Sequence, residues 1–136
     1  DITEHVSGGS YRTRSGGTHF SDFMILADTR STDEVIEEKF DRLDDALEAS
    51  ESEIGATLHA QISDLAAQAY TAYSGGDPAA AIRLLDDFRE IVRNAAQAGQ
   101  IPNVWRASRD VTNIDGSLRA TARTLRFSLT LAANLL

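Results

Sequence analysis

From Ser31 onward the apolar positions recur at intervals of three and four residues, the period of a helix that buries one face. Ser31-Thr32-Asp33-Glu34 has the form of a capping box, and Ile36, Phe40, Leu43 and Leu47 follow as a stripe, which predicts a first helix over about 33–49. A second stripe, Ile54, Leu58, Ile62, Leu65, Ala69 and Tyr73, runs to the stop signal Gly75-Gly76 and predicts a helix over about 52–74. Asp77-Pro78 reads as an N-cap and a first-turn proline, and Ile82, Leu85, Phe88, Val92 and Ala95 carry a third helix over about 78–98, up to Gly99. After Ile101-Pro102-Asn103, the stripe Val111, Ile114, Leu118, Ala122, Leu125, Leu129, Ala132 and Leu136 predicts a long fourth helix over about 106–135, with its start anywhere between 104 and 109. Gly116 falls inside that helix, where glycine costs about 1 kcal/mol relative to alanine, so it is expected to face a neighbouring helix at a close crossing.

Residues 1–30 follow a different pattern. Four of the nine glycines lie here, Tyr11-Arg12-Thr13-Arg14 alternates in the manner of a strand, Ser15-Gly16-Gly17 is a turn signal, and Thr18 to Ala27 is strand-prone with an apolar end. This predicts a short β-hairpin or extended segment. Two strands alone are marginal in water, and Phe20, Phe23, Met24, Ile25 and Leu26 are more apolar surface than one hairpin can bury. The segment is therefore expected to pair with a partner or with a β domain outside the chain.

Short connections between four helices favour antiparallel neighbours, so the fold class expected is mainly α: an antiparallel four-helix up-down bundle over 31–136, preceded by the β segment over 1–30. The length of 136 residues suits one such domain. Charge refines the arrangement. Residues 31–76 carry eleven acids and two bases, whereas residues 101–136 carry two acids and five arginines, so helix one beside helix four would set opposite signs together. Exposed pairs contribute at most about 1 kcal/mol, which selects between arrangements without holding the fold. The net charge of −8 disfavours nucleic acid and anionic membranes as partners.

Candidate chemistry is sparse. Glu37, Asp41, Asp44, Asp45 and Glu48 share a helical face and offer oxygen ligands to a divalent cation, although a solvated helix face is the commoner meaning of such a pattern. The Glu-x-x-His pairs of di-iron bundles do not occur: Ala56 stands three residues before His59, and His5 and His19 lie in the N-terminal segment. The absence of cysteine removes disulfides, thiolate metal sites and cysteine nucleophiles, no G-x-S-x-G elbow occurs, and the glycine pairs match no phosphate-binding loop. Neither a catalytic set, a metal site nor a cofactor is expected. The arginines Arg106, Arg109, Arg119, Arg123 and Arg126 are expected to pair internally with helix one, and Trp105 to cap the end of the bundle or to anchor an interface.

Leu65-Ala66-Ala67-Gln68-Ala69-Tyr70 with Gly76-Asp77-Pro78-Ala79-Ala80-Ala81-Ile82-Arg83-Leu84-Leu85 resembles the turn of a tetratricopeptide hairpin, but it occurs once, and such repeats need about three stacked units. Ala81-Ile82, Leu85 and Phe88, followed by Val92 and a loop before the last helix, are similar to the FIMAH-like helical module at the C-terminus of secreted and surface bacterial proteins. That resemblance implies export and a non-catalytic role. Arginine in place of lysine at all but Lys39, together with 20 alanines, agrees with a GC-rich bacterial source. The chain opens on Asp1 without a leader of signal-peptide form, which leads to the expectation that the original start was removed, and no apolar run approaches the ~20 residues needed to span a bilayer. The expected function is that of an extracellular or cell-surface structural module, not an enzyme, which binds a protein partner or further copies of itself by strand addition. Tyr11, Phe20, Phe23, Ile25 and Trp105 are the expected interaction residues. The alternative is a small-ligand or divalent-cation-binding bundle.

Overall fold

The computed structural model describes residues 2–7, 10–14, 30–104 and 112–134. Four helices, α1 (Thr32–Ser50), α2 (Ala56–Ser74), α3 (Pro78–Gln97) and α4 (Ile114–Asn134), make the protein mainly helical. Each helix packs on the next, and α4 returns to α1. Cross-helix neighbours fix the directions: Leu47 meets His59 while Asp33 meets Tyr73, the three residues 75–77 reverse α2 into α3, and Lys39 of α1 meets Ser128 of α4 while Ala46 and Ser50 share a hollow with Ile114 and Ser117. Neighbours are therefore antiparallel, running up and down around one core.

The apolar stripes set that core. Ile36, Phe40, Leu43 and Leu47 from α1, Leu85, Phe88 and Val92 from α3, and Leu118, Ala122, Leu125 and Leu129 from α4 are all buried. Helix α2 contributes Ile62, Ala66 and Ala69, while Leu58, Leu65 and Tyr73 are only half-buried against the core. The expected α2 stripe is thus rotated toward its alanines, because small side chains let the backbone approach the large residues of its neighbours. In α3, likewise, Ala81 is buried and Ile82 sits at the flank.

Helix ends follow local chemistry. The Ser31 hydroxyl accepts from the Glu34 amide at 3.2 Å while the Glu34 carboxylate accepts from the Ser31 amide at 2.8 Å, so the predicted capping box is formed. Helix α2 stops where Gly76 adopts φ +83°, and the Asp77 and Gly76 amides donate to the Ala72 and Tyr73 carbonyls, each at 2.9 Å. Asp77 then caps α3 through its Oδ1, which accepts from the Ala80 amide at 2.8 Å. Gly99, at φ +73°, ends α3 in the same way.

Two expected boundaries are corrected. Helix two does not begin near 52: Glu51–Glu53 form a 3-10 turn, Ile54 is extended, and α2 starts at Ala56. Ile54 is still buried, but as a plug below a turn and not as the first residue of a helical stripe. Helix four does not begin between 104 and 109. Asn103–Val104 (β3) pair antiparallel with Thr112–Asn113 (β4), and α4 starts at Ile114. Asn113 Oδ1 accepts from the Gly116 amide at 2.8 Å, a cap that the continuing apolar spacing concealed. The expectation for Gly116 changes accordingly: a Cβ there would fall on the Asn113 side-chain amide, its own cap, and not on a neighbouring helix.

At the N-terminus, Ile2–Ser7 (β1) and Ser10–Arg14 (β2) form an antiparallel ladder with Glu4 opposite Arg12 and His5 opposite Tyr11. The expected turn Ser15–Gly17 and the expected strand over 18–27 lie outside the described residues.

Replacing Phe88 by Ala is expected to cost about 3–5 kcal/mol, read from the urea unfolding midpoint. Gly116→Ala sets a helix-propensity gain of about 1 kcal/mol against a cap worth about 0.5–2 kcal/mol. In wild type it is expected to be neutral or destabilising, and in an Asn113→Ala chain stabilising by about 1 kcal/mol. Equal effects in both backgrounds would show that the cap does not exclude a side chain at this position.

Candidate functional site

Of the five expected interaction residues the described structure places Tyr11. Tyr11 sits in β2 opposite His5, and Phe20, Phe23, Ile25 and Trp105 lie outside the described residues. Arg106 and Arg109 lie outside them as well.

The acidic face of α1 is exposed along its length, with Glu37, Asp41, Asp44, Asp45 and Glu48 all open to solvent. Partial burial, then repulsion from Asp41, Glu48 and Asp45, raises the Asp44 carboxyl above the usual aspartate range. Among the described residues no group of three or more histidine or acidic side chains is placed to hold a metal ion. Beside this face Tyr73 stacks on Phe40 at 5.7 Å and donates to Asp33 Oδ1 at 2.9 Å. Burial, the Asp33 hydrogen bond and the nearby acids push its phenol up to about 12. His59, half-buried, holds the end of α1 with Nε2 3.1 Å from the Leu47 carbonyl oxygen, which gives it a structural use.

The basic residues of α4 do not pair with α1. Arg119 embraces the buried Asp115 one turn before it, a bond that raises the guanidinium pKa further. Arg126 reaches α3, where Asp86 accepts at 2.8 and 3.0 Å and also accepts from Arg89 at 3.0 Å. The α1 to α4 seam is held instead by Lys39, whose Nζ donates to Ser128 Oγ at 2.6 Å. Helices one and four are neighbours as the charge pattern suggested, yet helical periodicity turns Arg126 toward α3 and leaves a lysine and a hydroxyl at the seam.

Two surface features were not singled out from the sequence. Between α2 and α3 lies an open groove of about 480 Å³ lined by Gln61, Asp64, Leu65, Asp87, Glu90, Ile91 and Asn94. Its apolar floor is Leu65 and Ile91, and carboxylates stand on both rims. On α4, Phe127 and Leu131 remain 50% and 47% exposed, one turn apart on the side opposite the buried seam Leu118-Ala122-Leu125-Leu129. Phe127 and Leu131 fall outside the three-and-four spacing of that seam and were legible as outward positions, whereas Leu65 belongs to the expected α2 stripe and reaches the groove because the helix is rotated toward its alanines. A smaller hollow of about 310 Å³ between α1 and α4 is lined by Ala46, Ala49, Ser50, Asn113, Ile114, Ser117 and Leu118. No described helix is long and apolar enough to cross a membrane.

Residues 1–133 match the model of a family of unknown function, DUF6689, and the chain belongs to that family. The match spans the N-terminal segment and the bundle together. No curated protein and no solved structure matches the chain.

The raised Asp44 carboxyl means that the folded state holds this proton more tightly than the unfolded chain does, so stability falls as pH rises through its titration. Asp44→Asn is expected to stabilise at neutral pH by about 0.2–0.5 kcal/mol, the scale of exposed like-charge pairs on a helix. The gain should vanish as pH falls below the titration of the wild-type side chain, read from thermal midpoints across the acid range.

Proposed function

We propose that this member of a family of unknown function is a non-catalytic structural or interaction module of the bacterial cell exterior, built to join a protein partner or further copies of itself through its N-terminal strands. One observation carries the reading: the described N-terminal sheet has two strands, β1 and β2, and two strands need a third, or a covering element, to be stable in water. Strand addition from another chain supplies main-chain hydrogen bonds to an open edge. The family match supports treating the strands and the bundle as one unit, since it runs through both. Placement at the cell exterior rests on the similarity of Ala81-Ile82, Leu85 and Phe88 to the FIMAH-like module.

Amide exchange tests the assembly. Protection of residues 2–14 is expected to rise with protein concentration, and Tyr11→Pro, which removes a strand donor, should abolish the rise while leaving far-ultraviolet helicity unchanged. A chain that is monomeric at every concentration with these amides already fully protected would sink the reading.

A further inference from the structure

We propose that the exposed α4 ridge Arg123-Phe127-Leu131 of one copy docks into the α2 to α3 groove of a second copy. This rests on the reading of the chain as an assembling module and adds a contact made by the bundle itself.

The exposed large hydrophobic side chains among the described residues are Tyr70, Phe127 and Leu131. Tyr70 already spends one ring edge on Phe40, at 5.2 Å and 76°. Phe127 and Leu131 form an outward pair on α4, and Arg123 stands one turn before Phe127 on the same side. An apolar pair headed by a guanidinium asks for an apolar floor with carboxylates at its rim. The groove has that composition: Leu65 and Ile91 below, Asp64 on the α2 rim, Asp87 and Glu90 on the α3 rim, and the amides of Gln61 and Asn94 to take up remaining hydrogen bonds.

Charge adds orientation. The groove itself carries three carboxylates, Asp64, Asp87 and Glu90, the last also paired with Arg93, and they are opposite in sign to Arg123 at the head of the ridge, so ridge against groove is favoured over like against like. Helix α4 packs on α1 and α3, whereas the groove opens between α2 and α3. Ridge and groove are thus different surfaces of one molecule. A contact between them is heterologous and repeats from copy to copy, closing into a ring or extending as a filament.

The test uses the full chain carrying Tyr11→Pro, so that strand addition is silenced and any remaining association belongs to the bundle. Phe127→Asp removes the ridge, and Asp87→Arg with Glu90→Arg inverts the groove rim; all three positions are exposed, and circular dichroism verifies the fold. Sedimentation velocity is expected to show concentration-dependent association that weakens as salt rises, with each variant at least tenfold weaker alone. An equimolar mixture of the two variants should form a heterodimer and grow no further, because one copy keeps only a working groove and the other only a working ridge. A parent chain that stays monomeric, variants that assemble like the parent, or a mixture that fails to dimerise would each overturn the proposal. The first of these leaves strand addition standing if the concentration-dependent protection of residues 2–14 is seen in the unmodified chain.

Discussion

Burial of four apolar seams against one another is the constraint from which the rest of the structure follows. Phe88, Ile36, Leu43, Leu85, Leu118, Leu125 and Leu129 are closed to solvent, and most of the stability of such helices comes from packing an amphipathic face on a core of this kind. The seams also dictate rotation. Ala66 and Ala69 turn inward on α2 with Ile62, and this rotation carries Leu65 to the flank as part of an open groove floor. The surface feature most suited to recognition is therefore a by-product of how the core is filled.

Helix length is governed by a second, local layer of chemistry. Ser31 with Glu34, Asp77, Asn113, and the left-handed glycines Gly76 and Gly99 satisfy backbone groups that helix ends leave open. These devices leave short connections at 51–55 between α1 and α2 and at 75–77 between α2 and α3, which keep those neighbours antiparallel, whereas α3 and α4 are joined by the longer stretch 98–113. The same economy holds inside the bundle: Ser50 Oγ donates back to the Ala46 and Leu47 carbonyls, and Asp115 is held by Arg119, so these buried polar groups are satisfied within one turn.

Electrostatics acts on what the core has already arranged. Asp86 draws Arg126 across from α4 and Arg89 from its own helix, while the acids of α1 crowd one another on an exposed face and raise Asp44. Exposed pairs of this kind contribute little to stability, and the uneven distribution of sign is of more consequence for which surfaces meet than for whether the bundle forms.

Element type, the capping box, the two glycine stops and the Asp77-Pro78 start were legible in the sequence, because each depends on residues within four positions of one another. The start of α4 was not. The spacing from Val111 to Ile114 continues the helical period, and only the pairing of Asn103–Val104 with Thr112–Asn113 and the Asn113 cap end it. The surroundings of Gly116 were illegible for the same reason, its nearest neighbour being the side chain of the cap residue Asn113. The sequence by itself determined that four amphipathic helices would form and that their charges would be unevenly shared, since periodicity and composition are local properties. Which arginine meets which acid, which face of α2 turns inward, and that Leu65 and Ile91 share a groove were decided by tertiary structure alone, because each depends on how the helices rotate to fill a common core.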